Sequence, residues 1–236
     1  MGLRRYLSLL LAFGLGIWLC ASGLPGQMAE YWGDMVYLSR QHIILVAASG
    51  GAAIAVGIPT GIWLSRPSME RYAETFMQVF NIGTTIPTLA VIALSMTFLG
   101  IGFTPAFFGL FVASLLPIVR NTYTGLLAVP AHLREAATGM GMTPAQILFR
   151  VELPNALYVI FSGVRTALAI NVGTTPLAFL IGGGGLGELI FTGIDLMETG
   201  MLLAGAIPTA FLAVFVDFLT GQAQLRLVPK GVNPLR

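Results

Sequence analysis

Residues 75–119 read TFMQVFNIGTTIPTLAVIALSMTFLGIGFTPAFFGLFVASLLPIV, forty-five consecutive positions without an ionisable acidic or basic side chain. As one helix at about 1.5 Å per residue this run would be roughly twice as long as a bilayer's hydrocarbon core is thick. It must therefore double back. The stretch LGIGFTP at Leu99–Pro105 supplies the turn, because Gly100 and Gly102 break a helix and Pro105 suits the start of the next. One run yields two spans, and that decides the fold class: an all-α, polytopic membrane helix bundle. Composition agrees. Of the 236 residues 56% are hydrophobic and only 9% charged, against about 25% charged in soluble domains, too little polar surface to coat a water-soluble globule of this size. Nothing resembles a nucleic-acid-binding patch.

Other charge-poor runs mark further spans: Gln41–Ser65, Asn155–Ile181 interrupted by Arg165, and Gly200–Gln222 with Asp217 near its far end. The N-terminal MGLRRYLSLLLAFGLGIWLCASG has the basic start and apolar middle of a secretory signal. Its uncharged run Tyr6–Pro25 is also long enough to span, and length favours a retained first helix. Ile17–Cys20 makes a poor lipoprotein signal, since small residues do not precede Cys20. Six spans result. They form a single transmembrane domain over 1–236, with an N-terminal helix at about 6–25, a core bundle at about 38–222, a polar loop at about 130–154 and a basic tail at 223–236.

Basic residues orient the bundle. With the N-terminus in the cytoplasm, ten of the twelve fall on the cytoplasmic side: Arg4, Arg5, Arg66, Arg71, Arg120, Arg134, Arg150, Arg226, Lys230 and Arg236. Arg40 falls outside with Glu30, Asp34, Glu188, Asp195 and Glu198, and Arg165 lies within a span. Both termini are then cytoplasmic, and so is REAATGMGMTPAQILFRVELP, Arg134–Pro154, which is too polar and too turn-rich to cross a bilayer. Pro130 suits a first helical turn, AHLREAAT favours helix, and Gly139 and Gly141 stop it. Thr143 with Gln146 three residues on forms a capping box with Pro144 at the first helical position. Pro154 ends this second helix or opens the next span. The expected object is two short helices with a glycine hinge. It either rests on the membrane surface or presents a docking face in which Ala136 and Ala137 allow close approach beside the Glu135 charge.

The spacing Glu135-Ala136-Ala137, Gly141, Val151, Leu153-Pro154 resembles the signature loop of ABC-importer permeases, which usually have Ile where Val151 stands. The stretches TIPTLAVIAL at Thr85–Leu94, GVRTAL at Gly163–Leu168 and IGGGGLGELIF at Ile181–Phe191 are most similar to permeases for osmoprotectants such as glycine betaine, choline or carnitine. Methionine permeases share the glycine-rich stretch. The resemblance covers about Gln41 to Leu219 and implies a type I ABC-importer permease-like bundle whose loop docks on an ATP-binding subunit. It implies two copies of that subunit carrying ATP and Mg, a second permease subunit, the same or paralogous, and an extracytoplasmic solute-binding protein, all in a bacterial inner membrane. The chain would then be no enzyme and hold no cofactor; it has no G-x-x-x-x-G-K-[ST] phosphate loop of its own.

GGGGLG at Gly182–Gly187 contains G-x-G-x-x-G, but it follows a membrane run instead of a strand, so it reads as a tight re-entrant turn that shapes an outer gate around Gly184. Arg165 and Asp217 each lie about 14–15 Å from the cytoplasmic ends of their spans. They form an ion pair, snorkel separately to the cytoplasmic face, or touch solute. Thr84, Thr85, Thr88, Asn171, Thr174 and Thr175 either make helix–helix hydrogen bonds or line a pathway. Pro59, Pro87, Pro117, Pro176 and Pro208 are candidate kinks, while His42 and His132 lack metal-ligand spacing. A secondary transporter would leave the polar loop unexplained. A membrane enzyme would need a catalytic set that one cysteine and two distant histidines do not supply.

Overall fold

The computed structural model describes residues 21–232, in which ten α-helices and no strand occur. Helix α1 (Leu24–Ala29) follows Gly23 in a left-handed conformation, with Pro25 in its first turn. Most of the expected first span, including Cys20, lies outside the described residues. Among the described residues four helical stretches are apolar and long enough to cross a membrane, and a bent pair meets the same test only when its two helices are taken together.

Helix α2 (Trp32–Leu64) begins nine residues before the charge-free run suggested. Asp34 and Arg40 mark the edge of the hydrocarbon but do not stop a helix, so charge limits locate the membrane core better than the helix end. Across from it lies α5 (Phe103–Leu127). The two approach closely because a Cβ on Gly57 would come within 2.8 Å of Ile118, and one on Gly61 within 2.9 Å of the Val119 carbonyl. This is the use membrane helices make of a G-x-x-x-G pair. Buried Ala53, Ile118, Val164 and Ala167 extend that contact to α8 (Leu153–Thr174).

The run that opened the sequence doubles back as expected. Gly100 and Gly102 have φ of 79° and 118°, and α5 starts at Phe103. Its first half is not one straight span, however. Helix α3 (Glu70–Thr85) and α4 (Thr88–Leu99) meet at 100°. Ile86 and Pro87 are extended there, with ψ of 124° and 135°, because a proline disfavours helical geometry in the residue before it. Pro59, Pro117 and Pro208 stay inside their helices. Pro176 lies where α8 tightens into a 3-10 turn over Thr175–Ile181.

The polar loop contains α6 (Ala131–Gly139) and α7 (Pro144–Ile147). The two short helices form with the glycine turn between them, and of the two roles open to Pro154 the structure shows the one that leads into the next span. A π-helical turn, Leu148–Glu152, joins α7 to α8, so helix runs without a gap from Pro144 into the span. Pro154 opens that span and does not end the segment before it. The backbone amide of Leu153 donates to the Leu148 carbonyl five residues back, and the side-chain Nδ2 of Asn155 donates to the Val151 carbonyl at 2.7 Å. Helix thus continues through the one position where Pro154 can donate no bond. After the glycine-rich loop come α9 (Gly187–Asp195) and α10 (Thr199–Leu227), the latter closing against α8 and α9.

Candidate functional site

One end of the bundle is dominated by the loop between α5 and α8. Helix α6 stops in a Schellman motif: the Met142 amide donates to the Ala137 carbonyl at 3.1 Å, and the Gly141 amide to the Thr138 carbonyl at 2.9 Å. Gly141 occupies the left-handed position with φ 76°, and a Cβ there would touch nothing within 4 Å. Backbone conformation, not space, requires the glycine. The capping box forms as expected, with Gln146 Oε1 accepting from the Thr143 amide at 2.9 Å and Thr143 Oγ1 accepting from the Gln146 amide.

The two faces of this loop differ. Ala137 is 1% exposed, and Leu133, Leu148 and Leu153 pack on buried Leu126, Val129, Ala156 and Ile160. Glu135 and Ala136 are exposed, as are Met140 and Phe149. Of the candidate positions, Glu135, Ala136 and Gly141 face outward. Ala137 faces the bundle, and Val151, Leu153 and Pro154 are half-buried in its seam. Close approach through both alanines is therefore corrected to Ala136 alone. Met140 and Phe149 carried no sequence signal, because an apolar residue in an apolar chain reads as core.

Glu152 also went unrecognised. It is the unspecified residue of the Val151-x-Leu153 spacing, yet its side chain is buried. Arg66 Nη1 donates to Glu152 Oε2 at 2.7 Å, and Arg134 Nη1 lies 3.8 Å from Oε1. Arg66 also donates from Nε to the Ile62 carbonyl at 3.2 Å, in the last turn of α2, where a cation complements the helix dipole.

Within the bundle, α3 shows Glu74, Gln78, Asn81 and Thr85 at helical spacing along one exposed stripe, while Ala73 and Met77 face inward. Thr84 is exposed and Thr88 half-buried beside the bend. Asn171 and Thr175 are placed differently. Asn171 Nδ2 donates to Ser49 Oγ at 2.9 Å and to Ser114 Oγ at 2.7 Å, and Thr175 Oγ1 donates to the Asn171 carbonyl at 2.8 Å. All four side chains are buried, so this cluster ties α2, α5 and α8 together. Thr174 is half-buried and donates to its own helix at Ile170.

At the opposite end the glycine-rich loop folds against α2. Gly184 and Gly185 have φ of 74° and 88°. The Gly185 amide donates to Gln41 Oε1 at 3.0 Å, and a Cβ on Gly184 would run into that same oxygen. The Gly102 amide donates to the Ile181 carbonyl at 2.8 Å, linking this loop to the turn between α4 and α5. His42 is buried, its Nε2 3.2 Å from the Val172 carbonyl. Arg165 and Asp217 pair directly: Nη2 donates to Oδ2 at 2.6 Å and Nε donates to Oδ1. Of the three alternatives for these charges, the geometry is that of the ion pair.

Residues 57–229 match the family described as binding-protein-dependent transport system inner membrane component. The chain is 53% identical over 224 residues to the osmoprotectant import permease protein OsmY of Salmonella typhimurium, covering 95% of this chain and 94% of that one. It is 39% identical to the choline transport system permease protein OpuBB of Bacillus subtilis, covering 86% and 93%. To the carnitine transport permease protein OpuCB of Listeria monocytogenes it is 40% identical, covering 86% and 92%. Among solved structures, an inward-facing MetNI methionine ABC transporter superposes with a TM-score of 0.75 at 23% identity, covering 85% of this chain and 99% of that one. That last likeness bears on the fold.

Proposed function

The chain belongs to the inner membrane component family of binding-protein-dependent transport systems, and from that premise we propose that it forms the pathway through which an ATP-driven importer moves a small osmoprotectant. The solute class is that of the relatives' names, glycine betaine, choline or carnitine. In this reading two copies of a separate ATP-binding subunit hold ATP and Mg. The permease works with a second copy or a paralogue, and an extracytoplasmic binding protein delivers solute. Both termini lie in the cytoplasm, and the end of the bundle carrying α6 faces the ATPase.

The observation that carries this reading is the two-sided build of α6. Its inner face is nailed to the core by Leu133 and Ala137, its end is fixed by the Schellman turn, and Glu135, Ala136 and Met140 are left outward. A rigid, core-anchored protrusion with a small-residue face and an apolar knob suits docking into a partner's groove better than resting on lipid, which asks for a continuous apolar face. The stripe Glu74–Gln78–Asn81–Thr85 on α3 serves as part of the pathway wall. Its uncharged amides, Gln78 and Asn81, replace water around a zwitterion or cation there, and facing lipid they would go unsatisfied. Gly184 and its neighbours close the outer side.

Purification of the chain with its operational partners tests the assignment. An ATPase subunit should stay bound, be lost on Glu135→Lys or Gly141→Pro, and in proteoliposomes hydrolyse ATP faster with the loaded binding protein. Screening glycine betaine, choline, carnitine and methionine distinguishes solute classes, since stimulation by methionine alone would replace the osmoprotectant assignment. Gradient-driven uptake by the chain without an ATPase would overturn the reading altogether.

A further inference from the structure

Glu152 is a carboxylate that the fold has gone out of its way to bury. Withdrawing such a group from water costs several kcal/mol unless ion pairs and hydrogen bonds offset it, and a well-packed apolar side chain would hold the same seam more simply. The position explains the choice. Glu152 closes the π-helical turn at the first residue before α8, its carboxylate meets Arg66 at the end of α2, and it meets Arg134 on α6. Three elements, one of them 86 residues away in sequence, converge on one side chain.

Its two contacts are unequal. The link to Arg66 is a 2.7 Å hydrogen bond to a guanidinium that is itself tied to the last turn of α2 through Ile62 and, at 2.9 Å, to Ser65 Oγ. The link to Arg134 is a 3.8 Å charge contact without a hydrogen bond, and Arg134 Nη2 spends a hydrogen bond on the Val129 carbonyl at 3.2 Å instead. One contact is therefore fixed and the other has room to tighten or open. The covalent route from α6 to α8 runs through Gly141 and the turn after it, so a push on α6 can be absorbed by that turn. The route through Arg134 and Glu152 bypasses it.

We propose that Glu152 is the positioning residue that passes displacement of α6 to the ends of α2 and α8, with Arg134–Glu152 as the changing contact and Arg66–Glu152 as the standing one. This rests on the importer reading above, in which α6 receives the ATPase's motion. Loss of the network leaves ATP hydrolysis running and weakens its conversion into transport.

The test uses the full complex reconstituted in liposomes with glycine betaine as probe, recording melting temperature and betaine taken up per ATP hydrolysed. Arg66→Met leaves the buried Glu152 carboxylate without its hydrogen bond, Glu152→Gln leaves Arg66 without its carboxylate, and each lowers the melting temperature. The double variant R66M/E152Q leaves no lone charge in that pair and recovers it. The proposal expects uptake per ATP in that double variant to remain lower by roughly fivefold or more, the scale of a typical coupling between sites, while Arg66→Lys keeps both quantities near wild type. Recovery of uptake per ATP together with melting temperature would make Glu152 a brace and overturn the proposal. Arg134→Met, which leaves the Arg66–Glu152 bond in place, should lower uptake per ATP with little change in melting temperature. Should it also shed the ATPase, the double variant decides. A wild-type chain that binds no ATPase would instead overturn the importer reading, a result visible before any variant is made.

Discussion

Arg165 on α8 holds Asp217 on α10 through two hydrogen bonds, a fork-to-fork contact made inside two predominantly apolar spans. The planar guanidinium suits both carboxylate oxygens at once, which a lysine could not do. Gly221, one turn beyond Asp217, lies beside the guanidinium, where a Cβ would make ordinary contact at 3.6 Å from Arg165 Cζ. Both side chains are about two-fifths exposed in the isolated chain, at 41% and 40%, so the pair lies at the rim of the α8–α10 contact and not in its centre.

That geometry predicts how charge removal behaves. Either Arg165→Met or Asp217→Asn leaves a lone charge in a span, which costs about 2.5–3.5 kcal/mol near the middle of a helix on insertion scales, less here because the rim position lets the survivor reach toward polar surroundings. Arg165→Met combined with Asp217→Asn leaves none. Thermal melting of the purified permease in detergent should show both single variants below wild type and the double variant recovering at least about half of the larger single loss. Equal losses in all three would mean the charges act separately.

Gly141 gives a second prediction, and here conformation can be separated from space. A side chain at this position meets no neighbour, but φ of 76° is strained for any residue with a Cβ. Gly141→Ala and Gly141→Val should destabilise the Schellman turn by about 1 kcal/mol and more, respectively, whereas Gly141→Asn, which tolerates the left-handed region, should cost less. Retention of the ATPase subunit on affinity resin, measured against salt, should follow the order Gly, Asn, Ala, Val. An order set by side-chain size alone would contradict the conformational account.

Much of this loop was legible in the sequence because its devices are local. Thr143 and Gln146 form a capping box wherever their backbone is helical, and Gly141 marks a helix end in any surroundings. What sequence reasoning missed depends on contacts across the chain. Glu152 looks like a solvated acid next to Arg150 until the fold brings Arg66, 86 residues away, against it. Ala136 and Ala137 are identical as residues, and only the packing of α6, through Leu133, on Leu126, Val129, Ala156 and Ile160 turns one outward and one inward. The bend at Ile86–Pro87 lies between: proline announced a kink, but its 100° magnitude is seen only in the fold, where both residues leave helical ψ and α4 packs on α5. Gln78, Asn81 and Thr85 of the α3 stripe sit inside a charge-free run and so passed as ordinary membrane helix, with Glu74 just before it.

The outer loop yields a prediction with an internal control. Gly184→Leu places a side chain against Gln41 Oε1 while the Gly185 amide still needs that oxygen. Uptake should fall at least tenfold, about 1.4 kcal/mol of lost function in equilibrium terms, while assembly with the ATPase at the far end of the bundle is kept. Gly184→Ala combined with Gln41→Ala should transport better than Gly184→Ala alone, because the clash is relieved even though the φ strain remains. Uptake at wild-type level in Gly184→Leu would remove the glycine loop from any role in gating.

Asn171 supplies the last prediction, one in which two chemically similar replacements should part company. Its amide donates to Ser49 and Ser114, but each serine hydroxyl already donates to its own helix, Ser49 to Leu45 at 2.7 Å and Ser114 to Leu110 at 2.8 Å. Removing the asparagine therefore strands no serine proton. Asn171→Leu should cost only about 0.6–1.7 kcal/mol, the range found for hydrogen bonds between membrane helices, and should shift melting of the purified permease by a few degrees at most. Asn171→Asp keeps the shape but replaces the donating amide with a carboxyl group, which if ionised would be a charge buried among apolar helices. The serine hydroxyls could answer it only by abandoning their bonds to Leu45 and Leu110. That variant should be the less stable of the two and should lose expression in the membrane. If Asn171→Leu proves the worse variant, the cluster is held by shape and not by its hydrogen bonds.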